Sequence, residues 1–348
     1  MIWLTWRQFR SGALMMAAAL AVLSVVLGMT GPGLADEYSN GIAACTSGSG
    51  DCSGFAERFF DDNMTSFLAV TAIVLVMPAL IGVFWGAPLV AREYEGGTHR
   101  LVWNQSITRT RWLAVKVGLI GLVTIGIAGL GTLAVTWWSS PVDKASADLT
   151  RMDPLLFPAR GIAPVGYAMF AFAVGVTVGM LVRRTIPAMA ITLAVFVAAQ
   201  VAMPLLVRPH LVSPAESTVE ITPANVDGFV WGPDDVLEVS ASGAGAGAWV
   251  LSSDIVDATG NVVDPLVLPS SSGPCADPPE DPTATGPEDD PGVAACLAEI
   301  ERLGYRLQAT YHPAGRFWRL QWYEAGIYTG LALGLTGFCV WRIRRRVP

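Results

Sequence analysis

Lysine is almost missing from this chain: Lys116 and Lys144 are the only two, against 20 arginines in 348 residues. Neither stands in a G-x-x-x-x-G-K-[ST] run, so the chain has no phosphate-binding loop of its own and no means of hydrolysing ATP alone. Histidine is nearly as scarce. His99, His210 and His312 are scattered, there is no H-E-x-x-H and no C-x-x-C, and no metal or hydrolytic constellation can be assembled from what remains. Ionisable residues are also missing from the interiors of the long apolar runs, which offer only Gln200 and scattered Ser and Thr. Proton- and ion-coupled transporters keep such groups inside the bilayer, where they are expensive and functional. That class is disfavoured, and active transport by this chain needs energy from a partner.

What the chain has in abundance is apolar surface. Hydrophobic residues make up 52% and charged residues 15%, and the mean hydropathy is +0.48. A soluble domain of this size is less apolar, so the composition implies an integral membrane protein. Crossing a hydrocarbon core of roughly 30 Å takes about 20 residues of helix. Six runs qualify, at 11–30, 64–90, 113–138, 161–182, 186–207 and 325–340. The first follows Arg7 and Arg10 and precedes "GLADE", in the manner of a secretory signal, but its apolar stretch is longer than a signal core and reads as a retained span. Pro78, Pro187 and Pro204 bend or start helices, which spans tolerate.

Basic residues set the orientation, because cytoplasmic flanks are enriched in them. With both termini inside, the cytoplasmic side collects Arg7, Arg10, Arg92, Arg100, Arg109, Arg111, Lys116, Arg183, Arg184, Arg342, Arg344, Arg345 and Arg346, and only two acidic residues, Glu93 and Glu95. The expectation is an all-α polytopic membrane protein of six transmembrane helices, with both termini cytoplasmic and a small α+β extracellular domain between helices 5 and 6.

Three connections then lie outside: two loops, 31–63 and 139–160, and an acidic domain at 208–323. Within that domain "GAWVLSSDIVDATGNVVD" has the alternation and turn residues of a hairpin, and "VAACLAEIERLGY" has helical spacing ending at a glycine. The Pro-, Asp- and Glu-rich stretch at about 270–292 reads as a flexible insert. Four of the five cysteines fall outside, two per connection, where disulfides persist. Pairing within each connection, Cys45–Cys52 and Cys275–Cys296, is the simplest of three connectivities. Cys339 lies in the last span as a small packing residue.

Several shorter features ask for a role. Residues 1–10 place Ile2, Trp3, Trp6 and Phe9 with Arg7 and Arg10, as in an amphipathic interfacial helix or an aromatic belt. Gly326, Gly330 and Gly334, the pair Gly175 and Gly179, and Gly118, Gly121, Gly126 and Gly129 form small-residue faces suited to close packing inside the chain or, alternatively, to a dimer contact. The segment "YHPAGRFWRLQWYE" alternates rings with Arg316 and Arg319 before the last span. Arg316, Trp318 and Glu324 are candidates there for substrate or outer-face contact, with an interfacial anchor as the alternative. The most polar segment between two spans is 91–112. Gly96 and Gly97 allow a bend, Thr98 can cap a short helix from about His99 to Gln105, and Leu101 and Trp103 form an apolar handle among polar neighbours. Glu93, Glu95 and Arg100 would offer charge to a partner, and Arg109 and Arg111 would hold the inner surface.

The stretch "GAPLVAREYEGGTHRLVWNQSITRTRWLAVK" resembles the loop after the second span of ABC-2 type transporter permeases, with Arg92, Glu93, Gly97 and Thr98 on its R-E…G-T portion. Arg109, Arg111 and Lys116 fall on its basic turn. The closing "YHPAGRFWRLQWYEAGIYTGLALGLTGFCVWRIRRR" resembles an actinobacterial group of the same family. The likeness implies the cell-membrane permease subunit of an exporter, without a cofactor or an ATPase site of its own. It also implies a dimer with a second permease copy and two copies of a separate ATP-binding subunit, which holds ATP and Mg. The loop 91–112 would be the coupling element, and the cargo a drug, antibiotic, peptide or lipid. The domain at 208–323 departs from the short outer helices of many relatives. A membrane-anchored sensor using that domain is the alternative, and an intramembrane enzyme near His312 and Glu324 a more distant one.

Overall fold

The computed structural model describes residues 2–47, 52–97, 108–146, 150–223, 225–231, 236–263, 266–268, 273–276 and 291–345. The chain divides into two units, 1–211 with 317–348, and 212–316. Among the described residues of the first unit, six helices are long and apolar enough to cross a membrane. They are α1 (Ile2–Thr46), α2 (Ser53–Glu95), α3 (Arg109–Ala145), α4 (Ala163–Val182), α5 (Thr185–His210) and α7 (Phe317–Arg345).

Helices α1, α2 and α3 are longer than one crossing of a bilayer needs. At about 1.5 Å per residue the 45 residues of α1 extend about twice the ~30 Å hydrocarbon thickness. Helix α1 starts at Ile2 and is continuous through the segment read as interfacial. One expectation is corrected here. The connection 31–63 is not a loop: α1 continues through Pro32 to Thr46 and α2 begins at Ser53. Tyr38, Phe55 and Phe59 stack between these extensions, with centroids 5.4 Å apart for Tyr38–Phe59 and 5.9 Å for Phe55–Phe59. The Cys45–Cys52 disulfide closes the turn, with Cα atoms 5.7 Å apart.

Helix α4 is the most enclosed, and its small residues explain why. A Cβ on Gly175 would stand 2.6 Å from the Ala87 nitrogen, and one on Gly86 2.6 Å from the Phe172 carbonyl oxygen. The backbones of α2 and α4 therefore touch, and the Gly175–Gly179 pair is a packing device inside the chain. Lipid tails are as apolar as side chains, so such close contact, rather than expulsion of water, holds membrane helices together. The glycines of α7 behave differently. Among the described residues, Gly326, Gly330 and Gly334 have nothing within 4 Å of an added Cβ, and nor do Gly118, Gly126 and Gly129 of α3, so the expected internal packing is not seen at those positions. Ile81, Trp85, Trp112, Ile120, Phe172 and Met180 form the core at one end of the bundle, and Leu34, Phe59, Phe67, Trp138 and Leu156 that at the other.

The second unit is α+β. Its strands are β1 (Ala215–Glu220), β2 (Val226–Trp231), β3 (Val236–Ala241), β4 (Trp249–Val256), β5 (Leu266–Val267) and β6 (Arg306–His312). They form two antiparallel sheets, in the orders β1-β6-β4 and β2-β3-β5. The expected hairpin after β4 is only a turn and one bridge, Val256 to Val262, because β4 takes β6 as its partner. In that turn the Asp257 carboxylate accepts bonds from Thr259 and Asn261, which hold its pKa down at about 2. Helix α6 (Pro291–Arg302) ends as expected. Gly304 sits at φ 81°, with Tyr305 N–H reaching Ile300 O and Gly304 N–H reaching Glu301 O, a closure that favours glycine. The Cys275–Cys296 disulfide lies in the core with Ile221, Leu297, Ile300 and Leu307. Most of the insert at about 270–292 lies outside the described residues.

Candidate functional site

At the basic end of the bundle three consecutive residues fasten three different elements. The carboxylate of Glu93 pairs with Lys116 of α3, both side chains being largely buried, and Lys116 also stands over the Trp112 ring at 5.0 Å. The Tyr94 ring lies under the guanidinium of Arg183 at 5.4 Å, in the turn between α4 and α5. Glu95 accepts bonds from Thr185 N–H at 3.0 Å and Thr185 Oγ at 2.7 Å, and so caps the start of α5. Such capping satisfies a backbone donor that the helix itself cannot. Arg183, at φ 60°, is a non-glycine residue with positive φ, in a conformation that costs roughly 1–3 kcal/mol.

Glu93 and Glu95 were expected to offer charge to a partner or to Arg100; Glu93 pairs with Lys116 within the bundle and the exposed Glu95 caps α5, because α3 and α5 begin beside the end of α2, while Arg100 lies outside the described residues. Gly97 ends α2 at φ 67°, as the bend required. Thr108 caps α3 by accepting from Arg111 N–H at 3.3 Å, with Arg109 the first helical residue. Thr98, Arg100, Leu101 and Trp103, with the expected helix from His99 to Gln105, lie outside the described residues. Arg92, Arg111, Arg183, Arg184, Arg344 and Arg345 are exposed around this end, so its surface is strongly cationic.

At the opposite end lie polar clusters that the sequence did not announce. Arg208, at the end of α5, forms a two-pronged ion pair with Glu324 of α7, Nε to Oε2 at 2.9 Å and Nη2 to Oε1 at 3.1 Å. Both are buried. Tyr167 of α4 donates to the same carboxylate, and the guanidinium stacks on Phe157 at 4.1 Å. Gln321 accepts from Ile162 and Ala163 N–H at 3.0 and 2.8 Å, capping α4, and donates to Phe157 O at 3.0 Å. Gly161 is required beside it: φ is 66°, and a Cβ would stand 2.8 Å from Gln321 Oε1. Arg160 turns the other way, to Asp143 of α3 at 3.2 Å and Thr71 of α2 at 3.3 Å, over the Phe67 ring.

Of the candidates before the last span, Trp318 is exposed. Arg316 donates to Ser213 O at 2.5 Å. Glu324 is buried, held by Arg208 and Tyr167. Arg208 and Glu324 are 116 residues apart, and only their positions as single charges flanking the fifth and sixth apolar runs hinted at a pairing.

Six apolar helices and a cationic end fastened by an ion pair, a ring contact and a helix cap define a polytopic membrane protein. The family model described as "ABC-2 membrane transporter related" matches residues 17–208, and the chain belongs to that family. It is therefore a transmembrane ABC transporter subunit, a multi-pass protein distinct from the ATPase, and the family implies an ATP-binding partner. The match takes in the first five membrane helices and stops short of the second unit and α7. Comparison with the curated proteins and with the solved structures finds no match.

Proposed function

We propose that the chain is the permease of an ATP-driven exporter, moving an amphipathic or hydrophobic cargo such as a drug, antibiotic, peptide or lipid, and that its basic end lies in the cytoplasm against the ATP-binding partner. The reading is supported chiefly by the strip Glu93–Glu95. Any force applied to the segment that follows Gly97 reaches α3, the α4–α5 turn and α5 together, which is what a coupling element needs. The surrounding arginines suit an acidic face on the partner. Two permease copies and two ATP-binding copies, with ATP and Mg held by the latter and no cofactor on this chain, complete the assembly. The second unit, with its own core and disulfide, favours a ligand-binding sensor as the alternative.

Purification in mild detergent with the candidate ATPase separates the two readings. The expected outcome is a complex of two permeases and two ATPases whose hydrolysis rises with cargo. Arg111→Glu with Arg184→Glu should release the ATPase, the more readily as salt is raised, while the permease stays in the membrane. A permease that never retains an ATPase but binds a ligand through residues 212–316 overturns the exporter in favour of the sensor.

A further inference from the structure

The buried face of α5 advances from Ala188 to Thr192 to Phe196 in steps of four and later reaches Met203; the next buried residue is Arg208, five positions on. Leu205, Leu206 and Val207 between them are exposed. In α geometry, at about 3.6 residues per turn, a five-residue step would leave Arg208 roughly 140° round the axis from Met203. It is buried because Met203–Val207 is a π turn, in which the N–H of Arg208 reaches back five residues to Met203 O. The extra residue in that turn aims the guanidinium at Glu324.

Single π turns inside α-helices are uncommon and gather at functional positions. Here Pro204 brings the two geometries close in energy. It has no N–H for the Gln200 carbonyl, so an α-helix through this turn forgoes that bond in any case. The ion pair is also near balance, because removing two charges from water offsets most of their attraction. Trp318, Trp322 and Tyr323, all exposed, mark headgroup level within two turns of Glu324, where water is at hand.

We propose that the π turn of α5 and the Arg208–Glu324 pair form a two-position latch at this end of the bundle. In π geometry the guanidinium lies inside, on Phe157, and holds α5 to α7. When the turn tightens to α geometry, Arg208 swings about 100° outward and Glu324 keeps only the Tyr167 hydroxyl, without a counter-charge. Deleting Leu206 shortens the step from Met203 to four residues, so Arg208 stays aimed inward in plain α geometry and the latch is permanently shut.

The test uses the full-length chain in lipid nanodiscs, with spin labels replacing His210 and Tyr323, both exposed, and their separation read by pulsed electron paramagnetic resonance. Glu324→Gln keeps the shape and removes the charge, and Arg208→Gln is a second variant that opens the pair from its other side. Either should shift the 210–323 distances or add a second population. With Leu206 also deleted, the same substitutions should leave one population in place. Unchanged distances in both variants, or an equal change with Leu206 deleted, overturns the latch. No nucleotide or partner enters the experiment, so its outcome is independent of the exporter reading.

Discussion

Glu93 shows what a buried charge at a helix end does in this chain. Its partner Lys116 is almost wholly enclosed, so removing the carboxylate leaves an ammonium with neither water nor counter-ion. Loss of one member of such a pair costs about 3–5 kcal/mol, whereas an apolar replacement of both is close to neutral. Glu93→Leu should accordingly destabilise the bundle strongly, and Glu93→Leu with Lys116→Met should regain most of the loss, measured as a double-mutant cycle in denaturant. Equal damage in the single and double variants would mean that the pair does not act as a unit. At this scale the sequence was only partly legible. The R-E…G-T motif drew attention to Glu93, and the expectation for the loop identified its surroundings as polar. Charge alone could not say that the carboxylate faces inward, because the partner lies 23 residues on, across a loop whose path the pattern does not dictate.

Among the elements, the contrast between α4 and α7 is sharp enough to test. Both carry glycines at helical spacing, and a sequence pattern treats them alike. Gly175 is pressed against the α2 backbone, whereas among the described residues nothing presses against Gly330. Gly175→Ala should therefore push α2 and α4 apart, with a loss of the order of 1–3 kcal/mol from overpacking. Gly330→Ala should leave the thermal stability of the solubilised single chain unchanged or slightly raised, since alanine is the better helix former by about 1 kcal/mol. Unfolding curves for the two variants decide it, and equal losses would remove the distinction. Hydropathy made the six spans legible because a bilayer demands one long apolar run per crossing. It was silent on the extensions of α1 and α2, because a helix in water needs only one apolar stripe. Leu34, Tyr38, Phe55 and Phe59 supply that stripe amid Asp36, Glu37, Asp61 and Asp62.

For the whole molecule, the second unit is an excursion with adjacent stems. Ala215 pairs with Tyr311, and Arg316 holds the Ser213 carbonyl. The bundle closes on itself through Arg208 and Glu324. Replacing 214–315 by a short Gly/Ser linker should thus leave a membrane-inserted six-helix bundle that keeps its detergent stability; aggregation of that variant would show that the bundle needs the excursion. Composition marks a long polar stretch between the fifth and sixth apolar runs, whereas the pairing of β4 with β6 was not legible, since it joins segments separated by the whole insert. The excursion also imposes an order on synthesis. Helix α7 leaves the ribosome only after about a hundred intervening residues, roughly 5–20 s at ordinary elongation rates of about 5–20 residues per second. Until then the groups on α4 and α5 that Glu324 and Gln321 will bind have been made but the residues that complete those hydrogen bonds have not, so the bundle closes only with its last helix.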